Sequence, residues 1–379
     1  MAAWVSHPFA APQEKLPIRH GAPPLRRPGK HDGPMLAAEA TEVVEEYLAA
    51  QTAMTEARKA DLQHLADRDV LVVGGTGSGI GGAISLALLN LGSPRTLTVI
   101  SRDLRQSKEF YMGELVARLA DNLHFGNRFW WSNEGVSSDG AGFDSILEGL
   151  KSRGAQNIVY FNCVAAASSG VREGFPEVFV KDIDDGGLFQ WRLPTLTDRE
   201  VHATTHIMGT MATAFPRRLA ANGVTTSLSI YADWRGSLDV ISRDPSRAEY
   251  GRQGPYSTSL FLPKDVIQAE VRAAFGTAEN MIDIFYPMMR TRALRFIPGG
   301  HLGALLNSNL MRRESIREKG VPELAVESLA IASNALRYGV DNPFPRLDAS
   351  DAALIEWYYE VLLRLTNDES SPFFFRYWV

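Results

Sequence analysis

The chain carries the stretch Asp69-Val-Leu-Val-Val-Gly-Gly-Thr-Gly-Ser-Gly-Ile-Gly-Gly82, an apolar run that leads directly into a glycine-rich loop. A short run of valine and leucine predicts a strand that is buried on both faces, as in a parallel sheet. The apolar spacing of residues 83–91 predicts that a helix follows, and Gly92-Ser-Pro94 predicts its end. A loop of glycines, which have no side chains, lets a pyrophosphate approach the helix N-terminus, and the partial positive charge of that N-terminus attracts the pyrophosphate. The stretch therefore predicts a dinucleotide site.

The glycines of this loop fit two spacings. Gly77, Gly79 and Gly82 match G-x-G-x-x-G, whereas Gly75, Gly79 and Gly81 match the G-x-x-x-G-x-G spacing of short-chain dehydrogenases/reductases. Both place backbone close to a pyrophosphate. The residues that we expect to contact the cofactor here are Gly75, Thr76, Gly77, Ser78, Gly79, Ile80 and Gly81.

Strands and helices continue to alternate after the loop. We expect strands over 96–101, 128–132, 157–163, 225–231 and 280–287, and helices over 106–122, 144–153, 200–222, 262–275, 302–311 and 321–339. This alternation predicts βαβ crossovers and helices on both faces of a parallel sheet, which is a doubly wound, Rossmann-type α/β fold. Without an internal repeat or an interdomain linker, one dinucleotide-binding domain is expected over residues 67–379.

The N-terminal part of the chain has a different composition. Seven of the twenty prolines lie in residues 1–34, which predicts an extended arm. Helical spacing then predicts one or two N-terminal helices up to residue 66. Residues 1–66 are therefore interpreted as an arm with helices that precedes the domain.

Composition and charge exclude several classes of protein. Of 379 residues, 45% are hydrophobic and 22% charged, and the net charge of −5 argues against a dedicated nucleic-acid binder. Cys163 is the single cysteine, which excludes an intramolecular disulfide and fits a reducing compartment. No apolar stretch reaches the roughly 18 residues of a membrane span. We therefore expect a cytoplasmic protein without a membrane span.

The end of the second strand bears on the choice of cofactor. An NAD site usually presents Asp or Glu there to the ribose 2′-hydroxyl, but this chain has Ser101-Arg102. A guanidinium pairs well with a 2′-phosphate, so NADPH is the predicted cofactor. NADH stays possible, because Asp103 could meet the ribose instead.

A tyrosine and a lysine suggest the chemistry. Tyr256 and Lys264 have a Y-x7-K spacing, and Tyr231 precedes them. A reductase of this architecture needs a weak acid near the substrate carbonyl and a cation that lowers the pKa of that acid. The alternative is a buried tyrosine beside a surface lysine.

Several segments, in this order along the chain, carry a resemblance to a known family. They are the glycine-rich loop after Val73, Ile158-Val-Tyr-Phe161, Glu200-Val-His-Ala-Thr-Thr-His-Ile-Met-Gly209, Thr225-Thr-Ser-Leu-Ser-Ile-Tyr231, Thr291-Arg-Ala-Leu-Arg-Phe-Ile-Pro298 and Arg317-Glu-Lys-Gly320. Between Val70 and about Leu347 the chain resembles the trans-2-enoyl-CoA/acyl-carrier-protein reductases, long relatives of the short-chain dehydrogenases/reductases. The resemblance implies a Rossmann-type reductase with a helical substrate lid around residues 288–320.

The resemblance also implies roles for individual residues. Tyr256 and Lys264 would form the Tyr/Lys pair, with Lys264 also on the cofactor, and Tyr231 would face the thioester carbonyl. Ile297 and Pro298 would line the substrate pocket. The remaining cofactor contacts are predicted at Ser101, Arg102, Cys163, Val164 and Thr291.

The implied reaction is hydride transfer to the C2–C3 double bond of an acyl thioester of CoA or an acyl carrier protein, in fatty acid or polyketide metabolism. The chain departs from the family in its x7 rather than x8 spacing and in about fifteen residues inserted around 235–249. The alternatives are a 3-ketoacyl-type carbonyl reductase of the same superfamily and a catalytically silent nucleotide-binding scaffold. Either a monomer or a homo-oligomer fits the sequence.

Two further features have plainer interpretations. His202 and His206 lie one helical turn apart, but neither the catalytic Glu of H-E-x-x-H nor a further ligand cluster accompanies them, so no metal site is expected. The C-terminal Pro372-Phe-Phe-Phe-Arg-Tyr-Trp-Val379 is too apolar to extend into water. We expect it to dock on this protein or on a second subunit.

Overall fold

The fold is given by a computed structural model. It describes residues 49–75, 79–92, 94–100, 125–132, 142–164, 179–183, 188–192, 206, 208–233, 280–287, 315, 317, 319–347 and 376–378. The predicted arm, the predicted helices over 106–122, 262–275 and 302–311 and most of the predicted lid lie outside these residues.

The described part of the chain contains the alternating strands and helices that the sequence predicts. The strands are β1 Asp69–Val73, β2 Thr96–Ile100, β3 Phe129–Ser132, β4 Asn157–Asn162, β5 Phe179–Ile183, β6 Leu188–Arg192, β7 Thr225–Asp233, β8 Met281–Phe285 and β9 Arg376–Trp378. The α-helices are α1 Lys59–Leu62, α2 Ile80–Leu91, α3 Phe143–Ser152, α4 Phe215–Ala221 and α5 Val321–Tyr338. Residues 49–57 are helical as well, and a π-helical turn spans Thr210–Ala214.

Six of these strands form one parallel sheet in the order β3-β2-β1-β4-β7-β8. The order reverses between β1 and β4, because the chain fills one side of β1 before it crosses to the other. This is the doubly wound, Rossmann-type arrangement, so the predicted fold class is confirmed. Ligands of such sheets bind beyond the carboxyl ends of the strands at the point of reversal, which here means the ends of β1 and β4.

The strands are buried on both faces, which explains their continuous apolar sequences. On one face, Val70 and Val72 belong to a large apolar cluster that includes residues of α2 and α5. On the other face, Leu71 and Val73 pack in a cluster with α3 and α4. Alternate residues of each strand thus enter opposite layers of the core.

A segment after α5 covers the β8 edge of the sheet. The backbone N–H groups of Asp283 and Phe285 donate to the carbonyls of Pro343 and Pro345, at 2.8 and 2.9 Å. Leu347 donates back to Phe285 at 2.8 Å. These bonds satisfy an edge that would otherwise be open to pairing with another chain.

A second sheet, with the order β5-β6-β9, is antiparallel. Strands β5 and β6 lie between β4 and the π-helical turn, where the sequence analysis predicts no strand. Arg376 in β9 pairs with Gln190 in β6. Residues 376–378 of the C-terminal segment therefore pair with this chain, which is one of the two predicted alternatives.

Candidate functional site

The loop after β1 begins with a sharp change of direction against the end of β4. Gly74 has a φ of +76°, a conformation that favours glycine. Its N–H donates to the Ile100 carbonyl at 2.9 Å, and a Cβ added at Gly74 would lie 2.9 Å from the Cys163 carbonyl oxygen. The first glycine of the run is therefore required by the contact between the carboxyl ends of β1 and β4.

Two other glycines let helix α2 pack closely on the strands. A Cβ added at Gly81 would overlap the Gly74 carbonyl oxygen and lie 2.9 Å from the Cβ of Cys163. A Cβ added at Gly75 would lie 2.7 Å from both Ser85 Oγ and Val99 Cγ1. Larger residues at these positions would push the N-terminus of α2 away from the point where the sheet order reverses.

Gly79 differs from its neighbours because nothing in the described fold requires it. It is the N-cap of α2 with a φ of −102°, which any residue adopts, and no described atom lies within 4 Å of a Cβ added there. Among the described residues no side chain caps this helix, and its first turn carries no acidic residue. The N-terminus of α2 lies beside the ends of β1 and β4, because Gly81 contacts Gly74 and Cys163, and the partial positive charge of a helix N-terminus suits an anion such as a pyrophosphate.

The predicted cofactor contacts at the end of β4 lie beside this loop. The Cys163 N–H donates to the Val73 carbonyl at 2.9 Å, which joins the ends of β4 and β1. The Val164 N–H donates to Asn162 Oδ1 at 3.1 Å, so a buried side chain fixes the turn that follows β4. Cys163 and Val164 are both half-buried. The structure therefore brings Gly75, Gly79, Ile80, Gly81, Cys163 and Val164 to one end of the sheet.

Tyr231 lies near the carboxyl end of β7, and its hydroxyl points into the protein. The hydroxyl donates to the Ala212 carbonyl at 2.9 Å, and the side chain is buried. Burial, with a smaller contribution from the charge of Asp283, raises the pKa of Tyr231 above its usual value. Its predicted contact with a thioester carbonyl stays a prediction, but the described hydroxyl is engaged by backbone.

Tyr160 on β4 makes a parallel contact that the sequence analysis did not anticipate. Its hydroxyl donates to the Met211 carbonyl at 2.6 Å, and its ring meets that of Tyr231 edge to face with centroids 6.5 Å apart. Burial is the main cause of a raised pKa at Tyr160 as well. Two neighbouring strands thus direct tyrosine hydroxyls to successive carbonyls of one π-helical turn.

Many of the predicted site residues lie outside the described part of the chain. These are Thr76, Gly77, Ser78, Ser101, Arg102, Tyr256, Lys264, Thr291, Ile297 and Pro298. The structure therefore places the two ends of the glycine loop and the end of β4, while the middle of the loop, the predicted catalytic pair and the substrate pocket stay predictions.

The described residues contain neither a candidate metal cluster nor a candidate membrane span. None of these residues form a group of three or more His, Cys, Asp and Glu side chains that could hold a metal ion. His206 is exposed, and His202 lies outside the described residues. In the same part of the chain, every helix is too short or too polar to cross a membrane.

No family model matches the chain, and no curated protein matches it. Among solved structures, a trans-2-enoyl-CoA reductase from Treponema denticola in complex with NAD has a TM-score of 0.54 at 14% identity, covering 86% of this chain and 85% of that one. A trans-2-enoyl-CoA reductase from Clostridium acetobutulicum in complex with NAD has a TM-score of 0.50 at 12% identity, covering 84% of each chain. At these identities the similarity shows the fold. The resemblance predicted from the sequence is thus confirmed at that level: this chain has the doubly wound, Rossmann-type fold of these two reductases.

Proposed function

We propose that this protein is an NADPH-dependent reductase of 2-enoyl thioesters carried by CoA or an acyl carrier protein. The observation that carries the proposal is the glycine cradle between β1 and α2. Gly74, Gly75 and Gly81 are explained by close packing, whereas no described contact requires a glycine at Gly79, the N-cap of α2. Three glycines thus allow the N-terminus of α2 to approach the ends of β1 and β4, where the strand order reverses, and the fourth has no packing role in the described fold. This arrangement fits the binding of a dinucleotide pyrophosphate.

The chain would hold the two ends of the cofactor with different groups. Backbone N–H groups of Gly79, Ile80 and Gly81 would face the pyrophosphate, and Arg102 would pair with the 2′-phosphate. Cys163 and Val164 would border the dinucleotide from β4. The bound dinucleotide supplies the hydride for the reduction.

Two residues outside the described part of the chain would assist the reaction. Lys264 would hold the nicotinamide ribose and lower the pKa of the Tyr256 hydroxyl. Tyr256 would hydrogen-bond the thioester oxygen as negative charge develops on it, and a proton would then reach the α-carbon to complete the reduction. Ile297 and Pro298 would exclude water from the acyl chain. These roles are carried over from the family resemblance, and the two solved structures with TM-scores of 0.54 and 0.50 are named trans-2-enoyl-CoA reductases.

The experiment that tests the proposal compares two thioesters. Purified protein is mixed with NADPH and either crotonyl-CoA or acetoacetyl-CoA, and NADPH consumption is followed by its absorbance. We expect consumption with the enoyl thioester alone. Consumption with only the 3-ketoacyl thioester would assign a carbonyl reductase, and NADPH binding without consumption of either, or of the acyl-carrier-protein forms, would assign a nucleotide-binding scaffold.

Arg102→Ala tests the choice of cofactor. Losing a charged hydrogen-bond partner of a 2′-phosphate should weaken NADPH binding by roughly ten- to a hundredfold and leave NADH binding nearly unchanged. Titration of each dinucleotide by its fluorescence measures both effects. Lys151→Ala, which removes an exposed cation on α3, is the matched control and should change neither. An equal loss of both dinucleotides in Arg102→Ala would contradict a 2′-phosphate site.

A further inference from the structure

The described helical segment before β7 changes its type just before Pro216. The sequence predicts one helix over 200–222, but the structure has a π-helical turn at Thr210–Ala214, followed by α4. A proline inside a helix has no N–H to donate, and its ring clashes with the carbonyl four residues earlier, which is that of Ala212. Widening the turn before Pro216 accommodates the ring.

Two carbonyls of this segment lack the donor, four residues later, that an α-helix would give them. The Phe215 N–H donates to Thr210, five residues back, instead of to Met211. Pro216 offers no N–H to Ala212. Met211 and Ala212 are buried, so leaving their carbonyls without a donor would be costly.

The two strands beneath the turn supply the missing donors from side chains. Tyr160 on β4 donates to the Met211 carbonyl, and Tyr231 on β7 donates to the Ala212 carbonyl. Asn162 lies two residues beyond Tyr160 and is directly opposite Tyr231 in the register of β4 and β7. The two tyrosines are therefore diagonal neighbours on one face of the sheet. This spacing lets their hydroxyls reach the successive carbonyls of Met211 and Ala212.

The π-helical turn held in this way belongs to clusters that pack against Val164, one of the residues proposed to border the dinucleotide. Met208, Ala212, Tyr231 and Met281 form a small buried cluster, and Val164 packs against it. Val164 also packs against the larger cluster that contains Tyr160 and Met211. Because Val164 follows β4 at the carboxyl end of the sheet, a displaced turn would move the backbone beside which the dinucleotide is proposed to bind.

We propose that Tyr160 and Tyr231 are positioning residues for the proposed reduction: their hydroxyls replace the backbone donors lost before Pro216 and hold the π-helical turn against Val164. The inference rests on the proposed function and refines it, since Tyr231 then acts through the turn and not on the substrate. Burial and Asp283 keep Tyr231 protonated, as a hydrogen-bond donor must be.

The test is a double-mutant cycle between Tyr231 and Pro216. Tyr231→Phe should lower the equilibrium constant for folding about tenfold, because a buried carbonyl loses its donor. Pro216→Ala restores an N–H four residues after Ala212, so Tyr231→Phe should have a much smaller effect in that background. Urea unfolding of the four proteins measures this coupling. Absence of coupling would overturn the proposal.

Measurements of turnover distinguish a positioning role of the two tyrosines from a role of Tyr231 as an acid and from a purely structural role. Tyr160→Phe and Tyr231→Phe should each lower kcat by roughly tenfold at a temperature where both variants are fully folded, with an unchanged shape of the pH profile. Loss of turnover in Tyr231→Phe alone, without rescue by Pro216→Ala, would identify Tyr231 as an acid and overturn the proposal. Reduced stability with unchanged kcat in both variants would overturn it too, as a purely structural role.

Tyr286 provides a matched control, and alkylation of Cys163 provides a measurement that needs no substrate. Tyr286→Phe removes a buried hydroxyl that meets Ser328 Oγ at 2.6 Å, within the apolar cluster of the opposite sheet face, and should lower stability without changing kcat. The alkylation rate of Cys163, the single cysteine, should rise in Tyr160→Phe and Tyr231→Phe, because Cys163 adjoins Val164. Should no thioester be reduced, the proposed function fails, while the unfolding cycle and the alkylation rates still decide whether the tyrosines hold the turn.

Discussion

Tyr256→Phe is expected to lower turnover of a 2-enoyl thioester by about 10²- to 10⁴-fold, the usual contribution of a positioned acid. Dinucleotide binding should be unchanged, because the variant keeps the ring and loses only the hydroxyl. Lys264→Ala should lower turnover to a similar extent and also weaken the dinucleotide, since the ammonium group is proposed to hold the ribose. Steady-state kinetics and dinucleotide fluorescence, measured on the same preparations, check both expectations.

Matched controls show whether the effects of Tyr256→Phe and Lys264→Ala are specific to these positions. Tyr286→Phe and Lys151→Ala remove the same groups elsewhere, at the sheet face that packs on α5 and on the exposed side of α3, and should leave turnover unchanged. If Tyr256→Phe turned over as fast as the parent protein, another residue would have to supply the acid. The pair assigned through its x7 spacing would then be wrong.

Gly81→Ala is expected to abolish detectable dinucleotide binding, and Gly79→Ala to weaken it about ten- to a hundredfold, for different reasons. The new methyl group of Gly81→Ala overlaps the Gly74 carbonyl oxygen, which must displace the N-terminus of α2. Such overpacking lowers the free energy of unfolding by about 1–3 kcal/mol. The methyl group of Gly79→Ala meets no described atom, so the expected weakening comes from its overlap with the proposed pyrophosphate.

Gly320→Ala is the matched control for Gly79→Ala. Gly320 is the N-cap of α5, has a φ of −78°, and a Cβ there would lie 3.6 Å from Pro322 Cδ, an ordinary contact. Both variants change an N-cap glycine to alanine, so both should change stability by a similar amount, less than about 1 kcal/mol. Thermal unfolding and dinucleotide titration compare them. Unimpaired binding in Gly79→Ala would show that the N-terminus of α2 does not receive the pyrophosphate.

The parts of the fold that depend on neighbouring residues, such as strand β1, the turn after it and helix α2, can be predicted from the sequence. The apolar run of β1, the glycines after it and the small residues of α2 predict strand, turn and helix within a few residues of the observed bounds. The same segment predicts the cradle, because close approach of backbone to backbone requires glycine wherever it occurs. The C-terminal docking was also predictable, since exposed aromatic residues are unfavourable in water.

The π-helical turn and the strands β5 and β6 were not predicted. Helical spacing continues through residues 200–222, and Pro216 was a visible signal of an interruption that the periodicity concealed. For β5 and β6, pairing with each other and with β9, almost two hundred residues later, creates the sheet. Strand pairing at that separation leaves little trace in the sequence of either partner.

The sequence by itself determined the doubly wound fold, the position of the glycine cradle and the candidate residues at the ends of β1 and β4. Periodicity, glycine and proline act through the backbone near them, so their effects can be inferred without a structure. Only the tertiary structure decided where the hydroxyls of Tyr160 and Tyr231 point. A buried hydroxyl bonds whichever acceptor the fold leaves unsatisfied, and that acceptor exists here because Pro216 removes a donor from a helix packed across both strands.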